Sequence, residues 1–540
     1  MNPARLSCVI ARTLRPVGAA AALALGAAVP AQVTTLDDAI HVTNRIGFGG
    51  TPADRIAVLT NYASYVAQQL LPTTVPDPEI DAIYPPGTLS TTLAALQREQ
   101  FVRALTSRRR LQEAMAYFWE RHFNTNINRV AERLLSTGIA TPFINAEWLS
   151  VRLEAQNNFI YRNNALGSFR NLLLLTTISP AMMLYLDGDS NVGCGGNQNY
   201  AREVLELYSM GPVNESTGLA TYDQSDIIKA AQCLSGWRVT MPTWPAATIT
   251  FTAGNHCVGT PTLFTQPHNA ANTFTVSHVG NGSNQMFELI DKIAASDLTK
   301  DFICRKIAKY FLSDDGPSDA LVGNMTAVWG TTGDIRAVLN VLLLDPEFTG
   351  TTHRWKRVST PFERAIWWQR VWDGNLLRTD TLAVDIGKAD VMVQFAASLG
   401  ERLFQHPTPD GYPADSEEQV GPTAAITSWD HAAKVRTVLD PLFPTPPPPP
   451  FDIYPAHPTP WQLLMQFSTS TNTIAGAILT NLYGSNWTLV DLAQVDAAIA
   501  LDPTTSVFLP PLSFGNPVDL LARTAIGAAT AGAFVQAQLR

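Results

Sequence analysis

From Leu36 to about Trp237, apolar residues recur at the three-and-four spacing of helices with one buried face, and this period dominates the chain. Helix starts are written into the same stretch. Thr51 precedes Pro52, with Asp54 in the first turn, which is the chemistry of an N-cap followed by proline at the first helical position. Thr35-Leu36-Asp37-Asp38 opens an earlier helix, and Asp223 with Asp226 forms a second cap pair. Further helices are predicted at 91–124, 149–163, 168–177, 284–295, 297–312, 318–329, 334–343, 361–372 and 382–398. Between Arg238 and Ser277 the pattern changes to Thr, Pro and Gly, with alternation at Thr248-Ile249-Thr250-Phe251, so a loop or small hairpin interrupts the helices. The expected fold is mainly α, a multi-helix globular bundle with an irregular or β insertion around 238–280.

The ends read differently. Arg5, Arg12 and Arg15 precede a short Ala-rich apolar run, Val17 to Val29, and Val29-Pro30-Ala31 fits a signal-peptide cleavage site. Residues 1–31 are therefore read as an export signal. A helical domain spans 32–440, a Pro-rich loop or linker 441–460, and a further helical part 461–540 packs on the same domain. No later apolar run is long enough to cross a bilayer. Removal of the leader takes the formal charge from −9 to about −12, which disfavours a nucleic-acid partner because phosphate binding needs a basic face. The expected location is extracytoplasmic, periplasmic or secreted. Four cysteines then remain, Cys194, Cys233, Cys257 and Cys304, and one or two disulfides are expected in an oxidising compartment. Three connectivities are open if all four pair. Cys233–Cys257 is favoured, with buried thiols as the competing reading.

Polar side chains crowd most densely between Leu186 and Trp237. Asp187, Asp189 and Asn191 have the alternate spacing that opens a Ca²⁺ loop, although Val192 and Gln198 stand where such a loop has Gly and Glu. The competing reading is a turn in which the two aspartates cap backbone amides. On the following helix, Arg202 is a candidate clamp for an anionic group and Glu203 a base or ligand, while Asn197, Asn199 and Glu206 are candidate substrate contacts. The alternative is an Arg202–Glu206 structural ion pair. His122 is the best-placed imidazole by motif, and its apolar neighbours equally suit a core histidine. Glu120 and Arg121 are expected to face solvent. Arg170 could reach an anion, and Trp237 could stack on a sugar or simply pack in the core. His406 and Asp410, in a later polar loop, could close over a site. No G-x-S-x-G, H-E-x-x-H, Walker or Rossmann signature occurs, which weighs against the common serine hydrolases, zinc proteases and nucleotide enzymes.

The segments HVTNRIGFGGTP (41–52), FWERHFNT (118–125), NNALGSFRNLL (163–173), SPAMMLYLDGDSN (179–191), NQNYAREVLELYSMG (197–211), YDQSDIIKAAQCLSGW (222–237) and GERLFQHPTPDGYP (400–413) carry a resemblance. In order and spacing the chain resembles the bacterial "domain of unknown function 1800" family. The resemblance implies an exported, mostly helical protein and implies no reaction. That family usually has Glu where this chain has Gln198, which removes a titratable group but keeps an oxygen acceptor. Two function classes follow. One is binding or hydrolysis of carbohydrate or of sulfate or phosphate esters, with Ca²⁺ as a possible cofactor and polysaccharide as partner. The other is a non-catalytic envelope or secretion-associated scaffold that engages another exported protein.

Overall fold

The computed structural model describes residues 33–140, 145–371, 384, 386–412, 475–476, 479–480, 483–485 and 489–500. The expected signal peptide, the Pro-rich 441–460 segment and most of 461–540 lie outside the described residues. The helices are α1 (Leu36–Gly47), α2 (Pro52–Thr60), α3 (Tyr62–Gln69), α4 (Pro78–Ile83), α5 (Leu93–Thr106), α6 (Arg110–His122), α7 (Ile127–Ser136), α8 (Ala146–Asn163), α9 (Phe169–Thr177), α10 (Pro180–Tyr185), α11 (Asn199–Glu206) and α12 (Gln224–Cys233). After the insertion come α13 (Gln285–Ala295), α14 (Asp297–Phe311), α15 (Asp319–Ala327), α16 (Ile335–Leu344), α17 (Pro346–Thr349), α18 (Pro361–Val371), α19 (Ile386–Ser398) and α20 (Leu489–Ala500). The fold is mainly α, as the helical period requires.

Local chemistry sets the helix ends. Thr35 with Asp38, Thr51 with Asp54, and Asp223 with Asp226 each form a reciprocal capping box. Chain reversal after α1 uses Phe48 and Gly49 at positive φ, and a Cβ on Gly50 would collide with the Thr43 side chain. The 91–124 stretch, expected as one helix, is two. Asp77 accepts hydrogen bonds from the Ser107 hydroxyl and the Arg108 amide, which holds the chain out of helical geometry between α5 and α6.

The insertion is a pair of two-stranded antiparallel ladders. β1 (Trp237–Thr243) pairs with β2 (Ala246–Phe251) in the register Trp237↔Phe251 and Val239↔Ile249, and β3 (Thr262–Leu263) pairs with β4 (Phe274–Thr275). The Asp226 carboxylate ties the insertion to α12, accepting from the Phe264 amide at 2.7 Å and the Gln266 side chain at 2.6 Å.

α6 lies at the centre. It packs on α1, α3, α5 and α8, so almost its whole circumference is buried. One apolar cluster includes Met115, Trp119, Phe123, Leu172 and Trp329, and a second joins Tyr117 to Phe101, Phe362 and Phe404. This placement corrects the expectation that Glu120 and Arg121 face solvent: Glu120 is buried and Arg121 half-buried.

One disulfide links Cys194 to Cys257, with Cα atoms 4.7 Å apart. Cys233, expected as the partner of Cys257, is instead a buried thiol, as is Cys304. Cys233 sits at the end of α12 inside the apolar core, whereas Cys194 lies on the exposed loop beside the insertion. No described helix is long and apolar enough to cross a membrane.

Candidate active site

The segment from Gln405 to Tyr412 folds over the end of α6. Asn126 donates to the Gln405 and His406 carbonyls at 2.9 and 3.0 Å, Asn124 to the Thr408 carbonyl at 2.8 Å, and Arg121 to the Tyr412 carbonyl at 2.9 Å. The Tyr185 hydroxyl, from the end of α10, donates to the Pro407 carbonyl at 3.2 Å. A Cβ on Gly411, which has positive φ, would meet the Arg121 carbonyl, so this close approach requires glycine. These bonds bring Asp410 within electrostatic reach of Glu203 on α11.

Glu203 is nine-tenths buried, yet no described donor hydrogen-bonds its carboxyl group. Burial, then Glu206, then Asp410 push its pKa up to about 7, against the opposing pull of Arg202. Glu206 accepts from the Tyr222 hydroxyl at 2.6 Å. Burial, Asp410 and Glu203 raise the Tyr185 hydroxyl further above its ordinary range. The result is a carboxyl group that titrates near neutrality, within electrostatic reach of the exposed Asp410 carboxyl on the facing loop.

Behind Tyr185 lies a second pair of acids. Glu120 (α6) and Glu154 (α8) are buried and face each other closely enough to interact. Asn158 donates to one oxygen of Glu120 at 2.9 Å and the Thr125 hydroxyl to one oxygen of Glu154. The other oxygen of Glu154 is buried with no N–H or O–H donor of another residue, which is the position for a proton held by Glu120. Burial raises both groups, Glu120 also through the Glu154 charge, and Glu154 reaches about 7. Acids with raised folded pKa values stabilise the fold fully below about pH 4.5, and that contribution is lost as pH rises through about 7. Between pH 5 and 8, wild type should therefore lose on the order of 1–3 kcal/mol relative to Glu154→Gln. Urea titrations across that range check this, and parallel profiles would show that no proton is shared.

The remaining sequence candidates fall into three groups. Arg202 and Gln198 meet on the outer face, where Gln224 accepts weakly from Arg202 at 3.4 Å and donates to Gln198 at 2.7 Å. Arg202 therefore does not pair with Glu206, contrary to the ion-pair alternative. In the polar loop, Arg129 pairs with Asp187 at 3.1 Å, and Arg133 pairs with Asp187 and Asp189 at 3.2 and 3.1 Å. Asn191 donates to the Ala231 carbonyl at 2.8 Å and its Oδ1 is buried without a donor, while Asn197 and Asn199 bond back to Asp187, Ser190 and Leu186. The loop that suggested a Ca²⁺ site is thus neutralised by two guanidinium groups of α7, and a cation would have to displace them.

The third group sits away from Glu203. His122 is buried among Phe118, Phe123, Phe169 and Tyr208, donates from Nε2 to the Tyr208 carbonyl at 3.2 Å, and is kept neutral chiefly by burial. It is a core histidine. Trp237 is likewise core, packed on Phe251 and Phe287. Arg170 pairs with Asp291 of α13 at 2.6 Å. Sequence reasoning missed the Glu120–Glu154 pair and Tyr185, although Glu120 and Tyr185 lie in the quoted segments. It also missed Ser313, whose hydroxyl lies 2.6 Å from His353, itself 3.2 Å from Glu347. That relay resembles a nucleophile with its base, but Ser313 is fully buried and no substrate carbonyl reaches it.

A bundle in which an end loop closes over buried and half-buried acids is the class of architecture seen here. The family model described as "Protein of unknown function (DUF1800)" matches residues 41–507, and the chain belongs to this family. Neither the curated proteins nor the solved structures compared with the chain gave a match.

Proposed function

We propose that the protein hydrolyses uncharged carbohydrate, with Glu203 as general acid and Asp410 as the base that activates water. The observation that carries this reading is the Glu203 carboxyl group, its pKa raised to about 7 and without a hydrogen-bond donor among the described residues, within electrostatic reach of the exposed Asp410 carboxyl. A carboxyl group whose pKa burial raises toward neutrality, facing a second carboxyl group, is an arrangement suited to cleaving a glycosidic bond. The Glu206 and Asp410 carboxylates repel sulfate and phosphate esters, so the neutral substrate is favoured over the anionic one at this cleft. The reading routes no step through Ca²⁺. The Cys194–Cys257 disulfide supports an extracytoplasmic location, where polysaccharide is the partner.

The test is release of reducing ends from a panel of neutral oligosaccharides. Glu203→Gln should lower turnover by roughly 10²–10⁴-fold, the contribution of a positioned acid, with little change in melting temperature. Activity should fall as pH rises through about 7, where Glu203 loses its proton. Turnover that survives Glu203→Gln defeats the reading. The competing scaffold role is supported by the pairing of Asp187 and Asp189 with Arg129 and Arg133 and by the bonds of Asn197 and Asn199 to the Asp187 and Leu186 carbonyls. It expects no turnover on any glycan and a marked loss of stability in Glu203→Gln.

A further inference from the structure

We propose that Arg45, Arg121, Lys306 and Arg357 line a second site, a cleft that binds a small oxoanion or the oxoanion group of a larger ligand. The four cations come from different parts of the chain. Arg45 is in the last turn of α1 and Arg121 in the last turn of α6. Lys306 lies on α14, one turn before Tyr310, and Arg357 precedes α18. Tyr310 is the central wall. Its ring packs 5.2 Å from Phe118, and the Arg357 guanidinium lies 4.5 Å above it. Arg121, Lys306, Tyr310 and Arg357 sit deep in the fold and still keep partial solvent access, the condition of side chains lining a cleft rather than filling a core.

Three acids, Glu363, Glu401 and Asp314, face this cluster and offset part of its charge, leaving Lys306 without an acid. Glu363 pairs with Arg357 at 2.7 Å and accepts from the Thr360 amide at 2.9 Å. Glu401 accepts from the Tyr117 hydroxyl and, at 2.9 Å, from the Phe362 amide. Asp314 acts on both Arg45 and Arg357, and its Oδ2 is buried with no hydrogen-bond partner. Lys306 has no acidic partner among the described residues. Its ammonium group lies 5.7 Å from the Phe302 ring, and no carboxylate is among the groups that shift it. Burial and Arg121 bring its pKa down to about 8. Arg45 is nine-tenths buried, and its guanidinium makes no hydrogen bond to a described residue. Burial and Arg357 bring it down to about 9. Buried cations are retained when an anion compensates them, and guanidinium groups match the oxygens of phosphate and sulfate.

This site stands independently of Glu203, so the test reads binding rather than turnover. Full-length protein is titrated calorimetrically with inorganic phosphate, with sulfate, and with chloride at matched ionic strength. Phosphate or sulfate should bind with measurable heat where chloride does not, and the tighter of the two names the oxoanion. Lys306→Met should weaken that binding by about tenfold or more, the loss of one charge-assisted contact. Lys300→Met, which removes a half-buried lysine paired with the exposed Asp297 on the same helix, should leave binding unchanged, as should Glu203→Gln. Peptide mapping after acetylation of the wild-type protein gives a readout that needs no variant: phosphate or sulfate should slow modification of Lys306. Equal behaviour of phosphate, sulfate and chloride, undiminished affinity in Lys306→Met, or unprotected Lys306 would each overturn the site.

Discussion

Replacing Arg162 by Met should destabilise the protein by about 3–5 kcal/mol, the cost of leaving a buried charge without its partner. Arg162, near the end of α8, is buried, and its Nε reaches both oxygens of Glu113 on α6 at 3.0 and 3.2 Å. Its two terminal nitrogens donate to Asn158 at 2.7 Å and Gln100 at 2.9 Å. Asn158 in turn donates to Gln100 and Glu120, so one guanidinium joins α5, α6 and α8 and adjoins the Glu120–Glu154 pair. Methionine fills much of the same volume but supplies no donor. Glu113, which is 3 % exposed, would be left charged in an apolar setting, and two amide oxygens would each lose a bond. The double variant Glu113→Gln/Arg162→Met removes both charges, so it should be more stable than Arg162→Met alone. Urea unfolding of the three proteins measures this directly. A loss below about 1 kcal/mol in the single variant would mean that water already reaches Glu113.

That network marks the boundary of what the sequence displays. Local chemistry was legible: the Thr51–Pro52–Asp54 start, the Asp223–Asp226 box and the change of period at Arg238 each depend on residues a few positions apart. Side-chain partners across the bundle were not. Glu120 follows Trp119 as a hydrophilic residue usually follows a core position, and only the packing of α5 and α8 on both flanks of α6 buries it. Asp187 and Asp189 have the spacing of cation ligands, yet Arg129 and Arg133, one turn apart on α7, have the spacing to meet them. In both cases the deciding partner lies roughly 30 to 60 positions away in sequence, where periodicity carries no information. Asp410, read from the sequence as part of a loop that could close over a site, lies within electrostatic reach of Glu203.

Reducing the Cys194–Cys257 disulfide, or replacing both residues by Ser, should lower stability by about 4 kcal/mol, the chain entropy regained when a loop of that length opens. The two cysteines are 63 positions apart, and the loop they close contains α11, α12 and the β1–β2 hairpin. It also contains Glu203 and Glu206, so the bond constrains the chain that carries the proposed acid. Backbone bonds accompany it: the Gly193 amide donates to the Asn255 carbonyl at 2.8 Å and the Gly236 amide to the Asn191 carbonyl at 3.0 Å. These straps hold the loop against the insertion in the folded state, so opening the disulfide should act mainly on the unfolded chain. The α11 geometry should then persist in the reduced protein at low temperature, and any glycan turnover with it. Thermal melts with and without reductant, alongside Cys194→Ser/Cys257→Ser, give the size of the effect. Cys233 and Cys304 provide the internal control, because each is a buried thiol in the apolar core and Cys233→Ala should not alter the response to reductant. A response that vanished in Cys233→Ala would instead pair Cys233 with Cys257, and the insertion would then be tied to α12 rather than to the loop preceding Glu203.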